Sequence, residues 1–197
     1  MPRIDAPTVA EHRERRREAL LAAATALLAE HGVEAVNLAA AGAASGLARS
    51  SVYQYFDSTP ALLAAVVEDV MAKTGARLAA AMGRADGPSE RIDAFVRSTL
   101  DTATDPAHRS IHALAGSTLP PECLSRVAEL HRMQYQPLLD ALVELGVLQP
   151  DLTMQLVVAM VVRAAQAVAD GAARRPVLAR TLDLVHHGIA SAGSPAG

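Results

Sequence analysis

The chain has 197 residues, 51% of them hydrophobic, and a formal net charge of −3. That length buries a real core, either as one large domain or as a small module fused to a larger one. The charge balance excludes a whole-protein attraction for nucleic acid, so any DNA surface has to be local. Cys123 is the only cysteine, which excludes an intrachain disulfide framework or thiolate metal cluster and makes a reducing cytoplasm the default location.

Residues 1–10 contain Pro2 and Pro7 and show neither an apolar period nor the basic-then-apolar pattern of a secretory signal. They are expected to be a flexible arm. The most apolar stretch, 152–169, is interrupted by Gln155, Arg163 and Gln166. No uninterrupted apolar run therefore reaches the roughly 18 residues of a membrane span. Alanine makes up about a fifth of the chain and favours helix. No convincing alternating run suggests a strand.

Helical pattern begins near Val9. Leu20, Leu21, Ala24, Leu27 and Leu28 share one helix face, with Arg13, Arg16 and Arg17 opposite, and Gly32 stands where a C-terminal glycine ends a helix. Asn37 is a good N-cap for a short helix over about 38–44. Gly46 suits a left-handed turn, and a third short helix is expected over about 49–55. Ser58 or Thr59, followed by Pro60, opens a fourth helix with an apolar stripe of Leu62, Leu63, Val66, Val67, Val70 and Met71.

Residues 83–89 break the pattern. A helix with Ile92, Phe95, Val96, Thr99 and Leu100 on one side follows, and then Asp105 and Pro106 read as N-cap and first residue of another. Pro120 and Pro121 introduce a long helical segment that Gly146 closes, and Pro137 inside it predicts a kink or break. The last two helices are expected over about 152–170 and 177–190. The first of them is apolar on nearly every side and needs cover from several directions. Residues 191–197 are expected to be a disordered tail. The fold class is thus all-α, with about nine helices: a tri-helical helix-turn-helix domain over 11–58 and a C-terminal helical bundle over 59–190.

Two short helices joined at Gly46 and packed on a longer first helix make a DNA-reading unit. The second short helix then enters the major groove and turns Ala48, Arg49, Ser50 and Ser51 toward base edges. Arg49 has the chemistry either to read guanine or to hold a phosphate. The stretch 32–63 resembles the N-terminal signature of the TetR/AcrR family of transcriptional regulators. The matching residues are Gly32 through Asn37, Ala44 through Phe56, Ser58 and Leu62-Leu63, and Tyr53-x-Tyr55-Phe56 after the Gly46 turn is the most specific part.

The resemblance implies that Asn37 caps helix two beside a phosphate, where the family usually has threonine. It places Ser50, Ser51 and Gln54 on the groove side, gives the Tyr53 and Tyr55 hydroxyls to phosphates, and locks Phe56 into the core. The family often has Ser-Lys-Glu where this chain has Ser58-Thr59-Pro60, so a phosphate-binding lysine is missing, and Thr59 with the helix amides is left to hold that phosphate. Ala41-Gly42 replaces a common Ile-Ala, which removes core volume and adds a flexible residue. Residues 1–60 contain six arginines and seven acids, so DNA affinity is expected to depend on arginine placement and to vary only gently with salt.

Taken without the resemblance, Tyr53, Tyr55 and Phe56 read equally as interhelical packing, and Arg13 to Arg17, alternating with Glu14 and Glu18, as a solvated face. His108 and His112 have the i, i+4 spacing of a helical metal site, but no Glu-x-x-His pair supports one, and neither a metal nor a cofactor is assigned. Met133, Gln134, Tyr135, Met154, Met160, Arg163 and Gln166 mix adaptable apolar and polar groups, as small-molecule sites do. His112, His131, Tyr135, Met160, Arg163 and Gln166 are the candidate effector-binding residues.

These features add up to a homodimer that pairs through its last two helices, binds a palindromic operator in double-stranded DNA, and is released by a small-molecule effector. Repression is the usual sign in the family. One alternative is a helical small-molecule-binding protein whose DNA contacts have degenerated. An enzyme is not expected, because no nucleophile, base and orienting acid stand at telling spacing.

Overall fold

The computed structural model describes residues 9–114 and 121–192, with the backbone alone for Arg49, 112–114, 121–122 and 189–192. The expected arm over 1–8 and tail over 193–197 lie outside the described residues. Those described form nine α-helices and no strand: α1 Val9–His31, α2 Leu38–Ala44, α3 Arg49–Val52, α4 Thr59–Met82, α5 Pro88–Thr102, α6 Pro106–Leu114, α7 Pro121–Glu144, α8 Pro150–Ala169 and α9 Arg174–Ala192, plus a 3₁₀ turn at Val33–Ala35. They fall into two compact units. The first comprises the chain up to Asp69 with Ser110–Leu124, and the second Val70–Arg109 with the chain from Ser125 onward. Helices α4, α6 and α7 each supply residues to both.

In the first unit the C-terminal half of α1 buries Leu20, Leu21, Ala24 and Leu28, which bear on α2 and on the 3₁₀ turn. Gly32 takes φ +81°, a region L side chains rarely adopt. A seven-residue helix such as α2 does not persist alone in water, and here both of its ends are closed. The Asn37 carboxamide oxygen accepts from the Ala40 amide at 2.9 Å. At the other end the Gly46 amide donates to Ala43 and the Leu47 amide to Gly42, with Gly46 at φ +72°, the paired bonds of a Schellman closure.

The helical stretch of α3 ends at Val52, three residues sooner than the sequence suggested. Beyond it the Gln54 and Tyr55 amides reach back only three residues, to Ser51 and Val52. The segment is therefore one α-turn drawn out into a tighter 3₁₀-like winding. Ser58 is the residue that caps α4, its hydroxyl accepting from the Ala61 amide at 3.2 Å. The buried Cys123 thiol lies 3.8 Å from the Ala64 carbonyl, and burial, with Glu68 adding to it, pushes its pKa up and keeps it protonated.

The core of the second unit is built on α5, whose Ile92, Phe95, Val96 and Leu100 are buried and which packs on both α8 and α9. Asp105 caps α6 through the Ala107 amide at 3.0 Å. Its carboxyl is shifted by burial, which alone would raise its pKa. The Arg77 hydrogen bond, the Ala107 and His108 amides and the Arg77 charge outweigh that and hold it below the usual value. Helix α7 runs unbroken through Pro137, so the expected break is absent. Leu138, Ala141 and Leu142 in the following turn are fully buried, and the packing they gain offsets the missing amide.

Helix α8 buries Val157, Val161, Ala165 and Val168, a single stripe directed at the core. Its other side leaves Leu152, Leu156 and Val162 exposed. By length and mean hydropathy (1.6) α8 would suit a bilayer, but its packed stripe is that of a helix in a protein core. At its far end α9 continues to Ala192, two residues into the stretch read as tail.

Candidate nucleic-acid interface

The α2–turn–α3 segment sorts its side chains by face. Val52 and Phe56 point inward, 0% and 7% exposed, while Asn37, Ala48, Ser50, Tyr53 and Gln54 are exposed and Ser51, Tyr55 and Thr59 half-exposed. Burial of the two anchors contributes roughly 1.5–3 kcal/mol each and fixes which side of α3 meets solvent. The backbone of Arg49 opens the helix, and its side chain lies outside the described atoms. The sequence-derived residues thus form one continuous surface of hydroxyls, an amide and phenols, the groups that meet phosphates and base edges.

Gly42 does something the sequence did not reveal. A Cβ placed on it would stand 2.6 Å from Val52 Cγ2 and 3.4 Å from the Leu47 carbonyl oxygen. The missing methyl is the space into which Val52 fits. Volume lost at Ala41-Gly42 is thus returned as close contact between α2 and α3, and the residue that read as a weak point sets their separation.

The arginines of α1 were the other missed feature. Arg13 donates to the Gln54 carbonyl at 3.4 Å, and its guanidinium lies 6.0 Å from the Tyr55 ring, as that of Arg17 does from the Phe56 ring. These side chains tie α1 to the end of α3 while staying in water. Their spacing from 53–56 along the chain leaves no local pattern, so only the fold discloses the pairing.

In the second unit the candidate effector residues separate. The His131 ring stacks on Tyr135, with centroids 5.8 Å apart and planes 3° apart, and Tyr135 meets the edge of Phe95 at 6.1 Å. Burial pushes the Tyr135 pKa up, so its phenol stays protonated. Met160 packs against the core. Arg163 and Gln166 lie off the buried stripe of α8 and are exposed, Gln166 donating to Asp170 at 2.9 Å. The His112 side chain lies outside the described atoms. Among the described residues no three His, Cys, Asp or Glu side chains gather where a metal could sit.

Residues 20–66 match the family model of bacterial regulatory proteins of the tetR family. No curated protein matches the sequence. The fold is similar to that of a TetR-family transcriptional regulator from Streptomyces coelicolor, with 18% identity, a TM-score of 0.75, and coverage of 92% of this chain and 97% of that one. It is also similar to the fatty acid degradation regulator FadR of Bacillus halodurans, with 16% identity, a TM-score of 0.71 and coverage of 86% and 94%. A third similar structure is FadR of Bacillus subtilis in complex with stearoyl-CoA, with 16% identity, a TM-score of 0.69 and coverage of 90% and 99%.

Proposed function

Residues 20–66 carry the N-terminal domain of the tetR family of bacterial regulatory proteins, and on that premise we propose that the chain is a dimeric, ligand-responsive transcriptional repressor. The observation that carries the reading is the sorting of α3, with Val52 and Phe56 as buried anchors beneath an exposed Ser50, Tyr53 and Gln54. A short helix held this way presents polar groups to a major groove without spending them on its own core. Asn37, Ala48, Arg49, Ser51, Tyr55 and Thr59 complete the contact surface, with Arg49 supplying the charge that the net-acidic first 60 residues otherwise lack.

The dimer follows from the outward side of α8. Leu152, Leu156 and Val162 are exposed on it and Leu184 on α9, and a second copy related by a two-fold axis covers such a patch. Two recognition segments then meet the halves of a palindromic operator. An effector bound in the second unit lowers DNA affinity by favouring a different spacing of those segments. The B. subtilis FadR complex with stearoyl-CoA supports a ligand role for this fold, and the ligand of this chain is a separate question.

The test is a pair of measurements on the intact protein. A mass in solution of twice the 20.5 kDa chain, with a specific shift of duplex DNA from upstream of its own gene, is expected. A monomer sinks the dimer. Failure to bind any such duplex favours a helical ligand-binding protein with degenerate DNA contacts, a reading to which the single helical turn of α3 lends some weight.

A further inference from the structure

The core of the second unit contains two polar atoms that its own packing leaves unserved. Thr25, Thr102 and Thr181 each donate their hydroxyl to the carbonyl four residues earlier, at 2.8 Å, the usual resort of a helical threonine. Thr99 does not, and its Oγ1 is buried without a hydrogen-bond partner. Gln134 Oε1 is in the same condition. Buried polar atoms are almost always paired, so two unpaired ones within one core call for a partner.

The helix register places them together. Helices α5 and α7 run antiparallel, because Arg91 pairs with Glu144 near one end and Phe95 meets Tyr135 further along. Thr99 stands one turn past Phe95, and Gln134 is the neighbour of Tyr135 on the same turn. Around them are Phe95, Tyr135 and His131, a run of ring contacts. The nearby charges are already matched, Arg174 to Asp101 and Arg77 to Asp105.

We propose that Thr99 and Gln134 form the polar end of a ligand site for a small, uncharged, ring-bearing molecule with a hydroxyl group. A hydroxyl both donates and accepts, so it serves Thr99 Oγ1 and the Gln134 carboxamide at once, whichever way that amide is turned. The ring lies against Phe95 and Tyr135. A charged head group is disfavoured, since it would be desolvated with no opposite charge free to meet it. Both polar atoms are shut off from solvent, so the ligand reaches them past the half-exposed His131–Tyr135 pair. Entry therefore requires side-chain movement, which is how a ligand acquires different affinities for two conformations. The site deepens the reading of this unit as the effector-binding part, but its test needs no DNA.

The experiment is thermal unfolding of the intact protein with phenol, toluene and benzoate as matched probes, for the wild type and for Thr99→Val and Gln134→Leu. Phenol is expected to raise Tm with its concentration, benzoate to leave it unchanged, and toluene to act weakly. Each variant is expected to lose most of the phenol shift while its own Tm stays level or rises, because an apolar near-isostere removes an unpaired group. The proposal is overturned if benzoate matches phenol, if the variants keep the phenol shift, or if either variant is clearly destabilised, which would mean that the polar atom already has a partner. Loss of phenol binding alongside intact operator binding refutes this site and leaves the regulator reading standing. Phenol binding with no operator binding does the reverse.

Discussion

Gly42→Ala is the most discriminating single change in the first unit. Glycine inside a helix costs roughly 0.5–1 kcal/mol relative to alanine, so at an open position the substitution stabilises by about that much. At Gly42 the new methyl would meet Val52 Cγ2 at 2.6 Å, and Val52 is fully buried, with no free end to swing away. Overpacking of this kind costs about 1–3 kcal/mol. The balance is a net loss of up to about 2 kcal/mol, concentrated where α2 and α3 touch. Val52→Ala alone loses two buried methyl groups and costs about 2 kcal/mol. In the double variant the clash is gone and the helical gain returns, so the two changes couple favourably by about 1–3 kcal/mol. Amide hydrogen exchange across residues 38–56 in the intact chain reads the effect locally, and operator affinity reads the displacement of α3. Slower exchange in Gly42→Ala, with effects that simply add to those of Val52→Ala, would refute the close-packing argument.

Asn37→Ala should speed amide exchange in α2 by an amount matching about 1 kcal/mol for a lost N-cap, while α5 exchange stays level. The Asp105 carboxylate has a lowered pKa in the folded state. Its stabilisation is therefore complete above the unfolded value, near pH 4, and is lost as pH falls through the lower folded value. Asp105→Asn keeps a capping side chain but should remove that part of the acid dependence of α6 exchange, and an unchanged acid profile would contradict the assignment. Leu156, 63% exposed, should as Leu156→Glu convert the dimer to monomer in sedimentation without lowering helix content. A dimer that survives this change does not pair through α8.

The sequence announced its helices well because their boundaries are chemical. Asn37, Ser58, Asp105, Gly32, Gly46 and Gly146 sit at helix ends and act through their own backbone or a neighbour three or four residues away, a range that a linear pattern can express. Pro137 misled for the same reason. Its local cost is real, but the compensation from Leu138, Ala141 and Leu142 is tertiary. The exposed face of α3 was legible because Val52 and Phe56 are four apart, whereas Gly42 and Arg13 find partners 10 and 41 residues away. The effector residues were the least legible. An apolar helix such as α8 does not say which side faces its own core, so Arg163 and Gln166 looked no different from Met160 until the buried stripe was located.

The central claim is that the face of α3 reads DNA. The most direct measurement is affinity for a duplex enriched from a random pool by the wild-type dimer, compared among wild type, Arg49→Ala and Tyr53→Phe at equal fold stability. The account predicts a palindromic enriched site and a loss of roughly 1–3 kcal/mol for Arg49→Ala if it contacts a base, with a smaller, sequence-independent loss for Tyr53→Phe. No enriched site, or two variants that bind as tightly as the wild type, would contradict it.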